Sequence, residues 1–445
     1  MQVPLGGERG QPLHKAGEKP PITANELQMN QPATVKVFGR NGSAQAYAIR
    51  DFLHRSDVPF EWVEPTSGEQ AREIGVASAN DPRLPVCLFP DGTRMENPTI
   101  HQITEKLGWF RDPSLSEYDL AIYGAGPAGL SAAVYGASEG LKTVVVERWA
   151  VGGQAGSSPK IENYLGFPSG ISGADLAERA REQACRFGAE ILLAREGVRG
   201  EFSAGKRVGY LADGTKLVAR AAICATGIEY HRLGLPNEQQ FRGAGVYYGA
   251  GASEAALCAG NERVFIVGAG NSAGQAALYF SRIVRNVTLV VRGESLKSTL
   301  SAYLLDRIRS AKNVEVLTNT EVTALHGDEC LRAVTLTNLR TGKSETFETR
   351  WLFVCIGGAP NTDWAAEAGI VRDEAGYLVT GPDLQQNSRP PDGWPLDRSP
   401  YYLETNVPGL FAADDVRHGS VKRCASAVGE GAMAVTFVHR YLVTG

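Results

Sequence analysis

Two stretches of this chain repeat one unit, and that repeat restricts the fold more than any other feature. YDLAIYGAGPAGLSAAVYGASEGLKTVVVE (118–147) and RVFIVGAGNSAGQAALYFSRIVRNVTLVVR (263–292) each read as apolar strand, glycine-rich turn, Ala-rich helix and second strand. In Gly124-Ala-Gly126-Pro127-Ala128-Gly129, the first glycine permits a tight turn and the second lets a pyrophosphate approach the backbone. The third lets helix and strand pack closely. The phosphates then sit at a helix N-terminus, where free N–H groups and the dipole favour an anion. Glu147 ends the following strand, close to the ~20-residue offset of a ribose-binding acid. The second turn, Gly268-Ala-Gly270-Asn271-Ser272-Ala273, has the same context, but its second strand ends in Arg292 with Lys297 close behind. A cation there suits the 2′-phosphate of NADPH. Glu294 nearby leaves NADH open, and a solvated strand end is the plainer reading of Arg292. A chain that carries this unit twice has two dinucleotide sites, in one sheet or in two domains.

The rest of the composition narrows the class. A chain of 445 residues is too long for one core and suggests two to four domains. Net charge is −4 with no long basic run, which argues against nucleic acid or an anionic membrane as partner. No apolar stretch is long enough to span a bilayer, and MQVPLGGERGQPLHK has no apolar core of the signal-peptide kind. The expected compartment is the cytoplasm. No two of the seven cysteines form a CxxC pair, and their odd count in apolar contexts reads as reduced, buried thiols. No His/Cys/Asp cluster has metal-ligand spacing, so no metal is expected, and no serine sits in a nucleophile elbow.

Residues 1–33 are rich in Gly, Pro, Gln and Lys without an apolar period, and a flexible arm is expected. Between 34 and 112 the order is strand (TVKVFG), helix (QAYAIRDFLHR), strand (PFEWVEP), a hairpin in LPVCLFPDGTRM around Pro-Asp-Gly, and a closing helix (NPTIHQITEKLGW). That is a small α/β domain. RDPSLSE (111–117) links it to the main body.

Four further segments, VGGQAGSSPKIENYLGFP (151–168), CATG (224–227), VCIGGAPNTDW (354–364) and GLFAADDVR (409–417), are similar, in family order, to the low-molecular-weight thioredoxin reductases. The resemblance covers residues 118–445. It implies an α/β fold with two Rossmann-like dinucleotide-binding domains. FAD would be bound by 118–243 with 359–445, and NAD(P)H by 244–358 inserted between. It also implies a homodimer. Position by position, it places Gly153, Gln154 and Asn163 along the flavin and ribityl chain, and Ala225, Thr226 and Gly227 past the adenine half. Asp415 falls where the family holds a ribityl hydroxyl, and Lys422 and Arg423 where a polar pair stands near the flavin. The family usually has Gly-Asp where this chain has Asp414-Asp415.

One departure is large. Family members carry a CxxC before the second glycine turn, the dithiol that the flavin reduces. Here VYYGAGASEAALC (246–258) puts Gly249 and Ala252 on those positions. Disulfide exchange needs an attacking thiolate and a resolving thiol, and neither residue supplies one. The segment 34–112 resembles glutaredoxin and thioredoxin-like folds, in which the proline matching Pro85 is cis. Its dithiol position is also vacant, filled by Ser43-Ala-Gln-Ala46. The first reading is therefore a flavoprotein that moves hydride from NADPH to FAD and on to an unidentified acceptor, protein or small molecule. A ferredoxin- or flavodoxin-type reductase and a non-enzymatic NAD(P)H sensor are the alternatives. Cys424 and His418 are further candidates for the flavin's surroundings, with packing and a surface role as their plainer readings. Tyr247 and Tyr248 are candidates to stack on a ring, and GAGVYYGAGAS (243–253) to act as a hinge.

Overall fold

The computed structural model describes residues 34–444 except 41, 57, 66, 79–80, 159, 204, 250–254, 256–257, 259, 261–262, 329 and 386–388. The expected arm at 1–33, Ala252 and most of the far half of the expected hinge lie outside the described residues. Among the described residues, no helix is long and apolar enough to cross a membrane.

The first unit follows the order read from the sequence. Strand β1 (Val35–Phe38), helix α1 (Ala44–Arg55), β2 (Phe60–Val63), α2 (Gly68–Glu73), β3 (Val86–Leu88), β4 (Arg94–Glu96) and α3 (Ile100–Lys106) form a sheet of order β2-β1-β3-β4. β1 and β2 are parallel, and the other pairs antiparallel. Asp91 closes the β3–β4 turn by accepting the Thr93 N–H at 3.0 Å, and Gly92 supplies the left-handed residue there. The Leu84–Pro85 bond is cis. Helix α1 starts at Ser43, whose hydroxyl accepts the Ala46 N–H at 3.2 Å, and it buries Ala46, Ile49, Phe52 and Leu53 in the core of this unit.

The two glycine-turn units lie in separate sheets. β5 (Tyr118–Tyr123), α4 (Pro127–Ser138) and β6 (Thr143–Glu147) begin the first. The short α5 (Gly153–Gly156), α6 (Gly173–Arg186), β7 (Glu190–Leu193), β8 (Gly197–Ser203), β9 (Lys206–Leu211) and β10 (Lys216–Cys224) continue it. Its order is β7-β6-β5-β10-β9-β8, and the distant β21 (Leu410–Ala412) adds in parallel to β10. The last helix, Cys424–Thr444, packs against α4. Between these parts comes a second, parallel sheet. Its strands β12 (Val246–Tyr248), β13 (Arg263–Val267), β14 (Asn286–Val290), β15 (Val314–Leu317) and β19 (Leu352–Val354) run in the order β12-β19-β13-β14-β15. Helix Asn271–Phe280 covers it, with a three-stranded antiparallel sheet made by β16 (Thr320–Gly327), β17 (Leu331–Asn338) and β18 (Ser344–Glu348). The chain passes between the two sheets twice, and the two crossings pair with each other as β11 (Ile228–Tyr230) and β20 (Gly358–Pro360).

The first unit is fastened to the rest at several points. Phe52 packs edge-on against Trp149 and tilted against Trp109, and Ala150 joins the same apolar core. The link at 110–112 is gripped by buried Arg195. This guanidinium donates to the Arg111 carbonyl, Asp112, Asp213 and Thr215 at 2.7–2.9 Å and lies 4.1 Å from the Phe110 ring. Arg195→Ala removes the one buried member of this network, whose partners Asp112 and Asp213 stay in reach of water, and a loss of about 1–3 kcal/mol is expected. The variant should be cleaved by protease in the 110–117 link at concentrations that spare the parent, with urea unfolding giving the stability change.

Candidate functional site

Both glycine turns hold backbone against backbone. A Cβ on Gly129 would lie 1.8 Å from the Gly124 carbonyl oxygen, and one on Gly124 would lie 2.3 Å from that of Ala225. In the second turn a Cβ on Gly268 would lie 2.3 Å from the Cys355 carbonyl oxygen. These contacts set each helix directly over the strand ends. Helix α4 begins at Gly126 with Pro127 at its first position, and Asn271–Phe280 begins at Gly270; neither has a side-chain cap. Their first N–H groups therefore have no partner from a capping side chain, which suits a pyrophosphate at each end. Ala128 and Ala273 are fully buried small residues that let the helices sit this close.

Two clefts run from these helix ends. The first, of about 1370 Å³, is lined by Gly124, Gly126, Pro127, Glu147, Gly153, Gln154, Asn163, Ala225, Thr226 and Gly227. The second, of about 1390 Å³, is lined by Gly268, Gly270, Asn271, Ser272 and Arg292. Gln154, Tyr230, Asn271, Asp415, Lys422 and Arg423 line both, so the clefts open into each other. Residues distant in sequence thus meet where one ligand would face the other. Lys297 is exposed on the loop after Arg292 and does not line the cleft; its N–H is donated to Ser295. Arg292 is exposed and makes no hydrogen bond or ion pair among the described residues.

Some residues do more than the sequence indicated. Glu147 is buried, and its two oxygens accept the Ala125 and Trp149 N–H groups at 2.8 Å each. It ties the glycine turn to the strand end, whatever ribose contact it also makes. Asn271 accepts the Ser301 N–H at 2.8 Å, and Thr299 donates to the Ala269 carbonyl at 2.7 Å, bracing the second turn from a loop that carried no motif. Tyr247 is buried among Tyr47, Trp351 and Phe353, so its ring is committed to packing. Among the described residues the buried Tyr248 hydroxyl has no hydrogen-bond partner, and its residue faces the first cleft. His418 lines neither cleft and pairs with Asp373 at 2.6 Å.

Asp414 sits where the left-handed backbone is required, with φ +79°, which accounts for glycine at this position in the resembling family. Its N–H is donated to Glu430 at 2.8 Å, and Glu430 is held by Arg417. Burial, then the charge of Asp415, pushes the Asp414 carboxyl from 3.8 up to about 7. Burial also raises Asp415. Cys424 lines the first cleft, and burial pushes its thiol to about 11, away from a reactive thiolate. Cys258 and Cys355 are core residues of the second sheet, burial pushes Cys87 to about 12, and none of the seven cysteines forms a disulfide. Gly249 faces the second cleft with φ +87°, and a Cβ there would meet the Tyr230 hydroxyl at 3.2 Å.

Residues 118–431 match the family model described as pyridine nucleotide-disulphide oxidoreductase. The chain belongs to that family. Within it the chain is thioredoxin reductase-like, an FAD-dependent NAD(P)H oxidoreductase. It is 35% identical to the thioredoxin reductase of Bacillus subtilis (strain 168) over 327 residues, 73% of this chain and 95% of that protein. The thioredoxin reductase of Treponema pallidum (strain Nichols) is 33% identical, over 74% of this chain and 98% of its own. Among solved structures, Lactococcus lactis thioredoxin reductase (FR conformation) superposes with a TM-score of 0.64 at 26% identity, covering 73% of this chain and 99% of that one. The T. acidophilum enzyme gives 0.64 at 29%, covering 74% and 100%. The first unit, residues 34–112, lies outside the segment matched by the family model.

Two outcomes are expected. Gly129→Ala drives a methyl into the Gly124 carbonyl, and FAD affinity, read by flavin fluorescence on titration, should fall at least about tenfold. Asp414→Asn keeps a residue that tolerates the left-handed backbone but removes the charge. The folded chain holds a proton on Asp414 that the unfolded chain has released between pH ~4 and 7, so wild-type stability falls as pH rises through that window. The variant should match wild type near pH 4 and exceed it at pH 8 by on the order of 1–3 kcal/mol, measured by urea unfolding.

Proposed function

We propose that this chain takes hydride from NADPH onto FAD and passes the electrons to an acceptor outside the chain, without an internal dithiol. The merged clefts carry the reading: two uncapped helix ends, one per glycine turn, lead into a shared space lined by Gln154, Asp415, Lys422 and Arg423. FAD would be held by 118–243 with 359–445 and NADPH by 244–358. Bound FAD would supply the two-electron chemistry between nicotinamide and acceptor.

The chain's own residues bind and orient. The N–H groups at Gly126–Gly129 and Gly270–Ala273 are positioned for the two pyrophosphates. Asp415 is placed to accept from a ribityl hydroxyl, and Gly153, Gln154 and Asn163 to follow the flavin. Lys422 and Arg423 bring positive charge to the place where the clefts join, suited to a reduced ring. Arg292 is the cation for the 2′-phosphate, favouring NADPH over NADH. The relatives are named thioredoxin reductases, yet this chain has glycine at the first dithiol position and no CxxC anywhere in its sequence. The residue types at both vacated positions support electron exit by another route. A homodimer is the assembly that the resemblance implies, and the cytoplasm is the compartment that the unpaired cysteine pattern of the sequence suggests. The 34–112 unit is proposed as a glutaredoxin/thioredoxin-like domain without redox function of its own.

The reading is tested by adding NADPH anaerobically to the purified flavoprotein and following flavin absorbance. Bleaching within seconds is expected, and a panel of quinones, dyes, ferredoxin, thioredoxin and oxygen then ranks acceptors. Rapid reduction of thioredoxin disulfide by this chain alone overturns the dithiol-free route, and bound FAD that NADPH leaves oxidised overturns the enzyme reading. Arg292→Gln should raise the KM for NADPH about tenfold and leave that for NADH nearly unchanged, in line with one charge-assisted hydrogen bond.

A further inference from the structure

The cleft proposed for flavin has a wall that does not come from the flavin-binding segments. Ala44, Tyr47, Ala48, Asp51 and Arg55, all on one face of α1, line it. Their spacing of three, four and seven residues keeps them on one stripe, opposite the Ile49–Phe52–Leu53 stripe buried in the first unit. The helix thus packs inward with its apolar face and presents an acid and a base to the cleft. It is also held against both sheets. The Tyr47 and Tyr247 rings are 5.1 Å apart, and a Cβ on Gly243 would lie 3.2 Å from the Ala44 backbone. At the other end, Arg55 donates from Nη2 to the Gly153 carbonyl at 2.6 Å.

Arg55 is not an ordinary surface cation. Its side chain is 13% exposed and that of Asp51 is 14%, with 3.5 Å between them. Among the described residues its buried Nε has no hydrogen-bond partner. A charge removed from water to this degree costs stability unless its neighbours compensate it, and a partly compensated cation facing a cleft favours an electron-rich ligand there. The carbonyl it grips belongs to the Gly152–Gly156 turn, where Gly152 and Gly153 both have left-handed φ and a Cβ on Gly153 would lie 3.1 Å from Gly126. Arg55 therefore fixes the strip of backbone that lies beside the first glycine turn.

We propose that Arg55 is a positioning residue of the flavin site, supplied by the N-terminal unit, which holds the Gly153 turn and sets a positive charge beside the flavin so that the bound cofactor is easier to reduce. This rests on the FAD reading above. It gives the unit, which lacks a dithiol, a role in the electron transfer although it carries no electrons, and the residue lies outside the segment shared with the family.

The test uses the full-length FAD-loaded protein and the midpoint potential of its flavin, measured by anaerobic titration with dithionite against reference dyes, so no step depends on NADPH. Arg55→Met should shift the reduction equilibrium about tenfold toward oxidised flavin, which for a two-electron couple is about 30 mV, and Arg55→Lys should restore most of it. Asp51→Asn removes the opposing charge and should shift the equilibrium the other way, so it keeps the proposal testable if Arg55→Met does not fold. An unchanged potential in folded, FAD-loaded Arg55→Met overturns the proposal, as does an Asp51→Asn shift toward oxidised flavin. A wild-type chain that binds FAD but is not reduced by NADPH overturns the functional reading instead and leaves the Arg55 result standing.

Discussion

Everything built around the two clefts depends on backbone lying directly on backbone at the glycine turns. Gly129 against the Gly124 carbonyl, Gly124 against that of Ala225, and Gly268 against that of Cys355 leave no space for a Cβ. The contacts seat helix α4 and helix Asn271–Phe280 so that their uncapped ends point along the strand ends. Further features then follow in order: Glu147 bonds the turn to β6, β21 and Asp414 bring the distant C-terminal segment alongside, and the loops after β10 and β19 run past as cleft walls. A single methyl at any of these glycines displaces a helix, and with it the site.

Much of this was readable because it is local. A glycine turn between an apolar strand and an Ala-rich helix needs only short-range geometry, as does the Asp91-Gly92 hairpin. The order of the later segments allowed Gln154, Asp415, Lys422 and Arg423 to be grouped, and the clefts bring those four together. What could not be read was set by contacts between parts far apart. The offset of Glu147 marks it as an acid near a ribose, but nothing in the offset says that both oxygens accept backbone N–H groups. Tyr247 looked free to stack on a ligand, and packing against Trp351 and Phe353 commits it instead. Arg55 carried no signal, since a basic residue at the end of an amphipathic helix is ordinary until the partner that buries it is known.

The cysteines and the acids of the site divide along similar lines. Burial pushes up the thiols of Cys87, in the core of the first unit, and of Cys424, at the start of the last helix, so both stay protonated and have the character of packing residues even where one of them lines a cleft. Asp414 is the opposite case, a carboxyl kept in a left-handed turn where its charge is unfavourable. Such a residue is retained at a cost in stability, and it faces the cleft beside Gly126.

The pairing of β21 with β10 has a consequence for how the protein is made. β10 is flanked by β5 on one side, but the parallel partner of its last three residues on the other side is contributed by residues 410–412, after the whole of the second sheet. On the ribosome the strands of the second sheet are therefore complete while the first still exposes an edge, and domains generally fold as units as they emerge. An unpaired edge is a template for wrong partners. The inserted unit sets how long that edge stays open, and so its own folding speed governs the risk of misassembly.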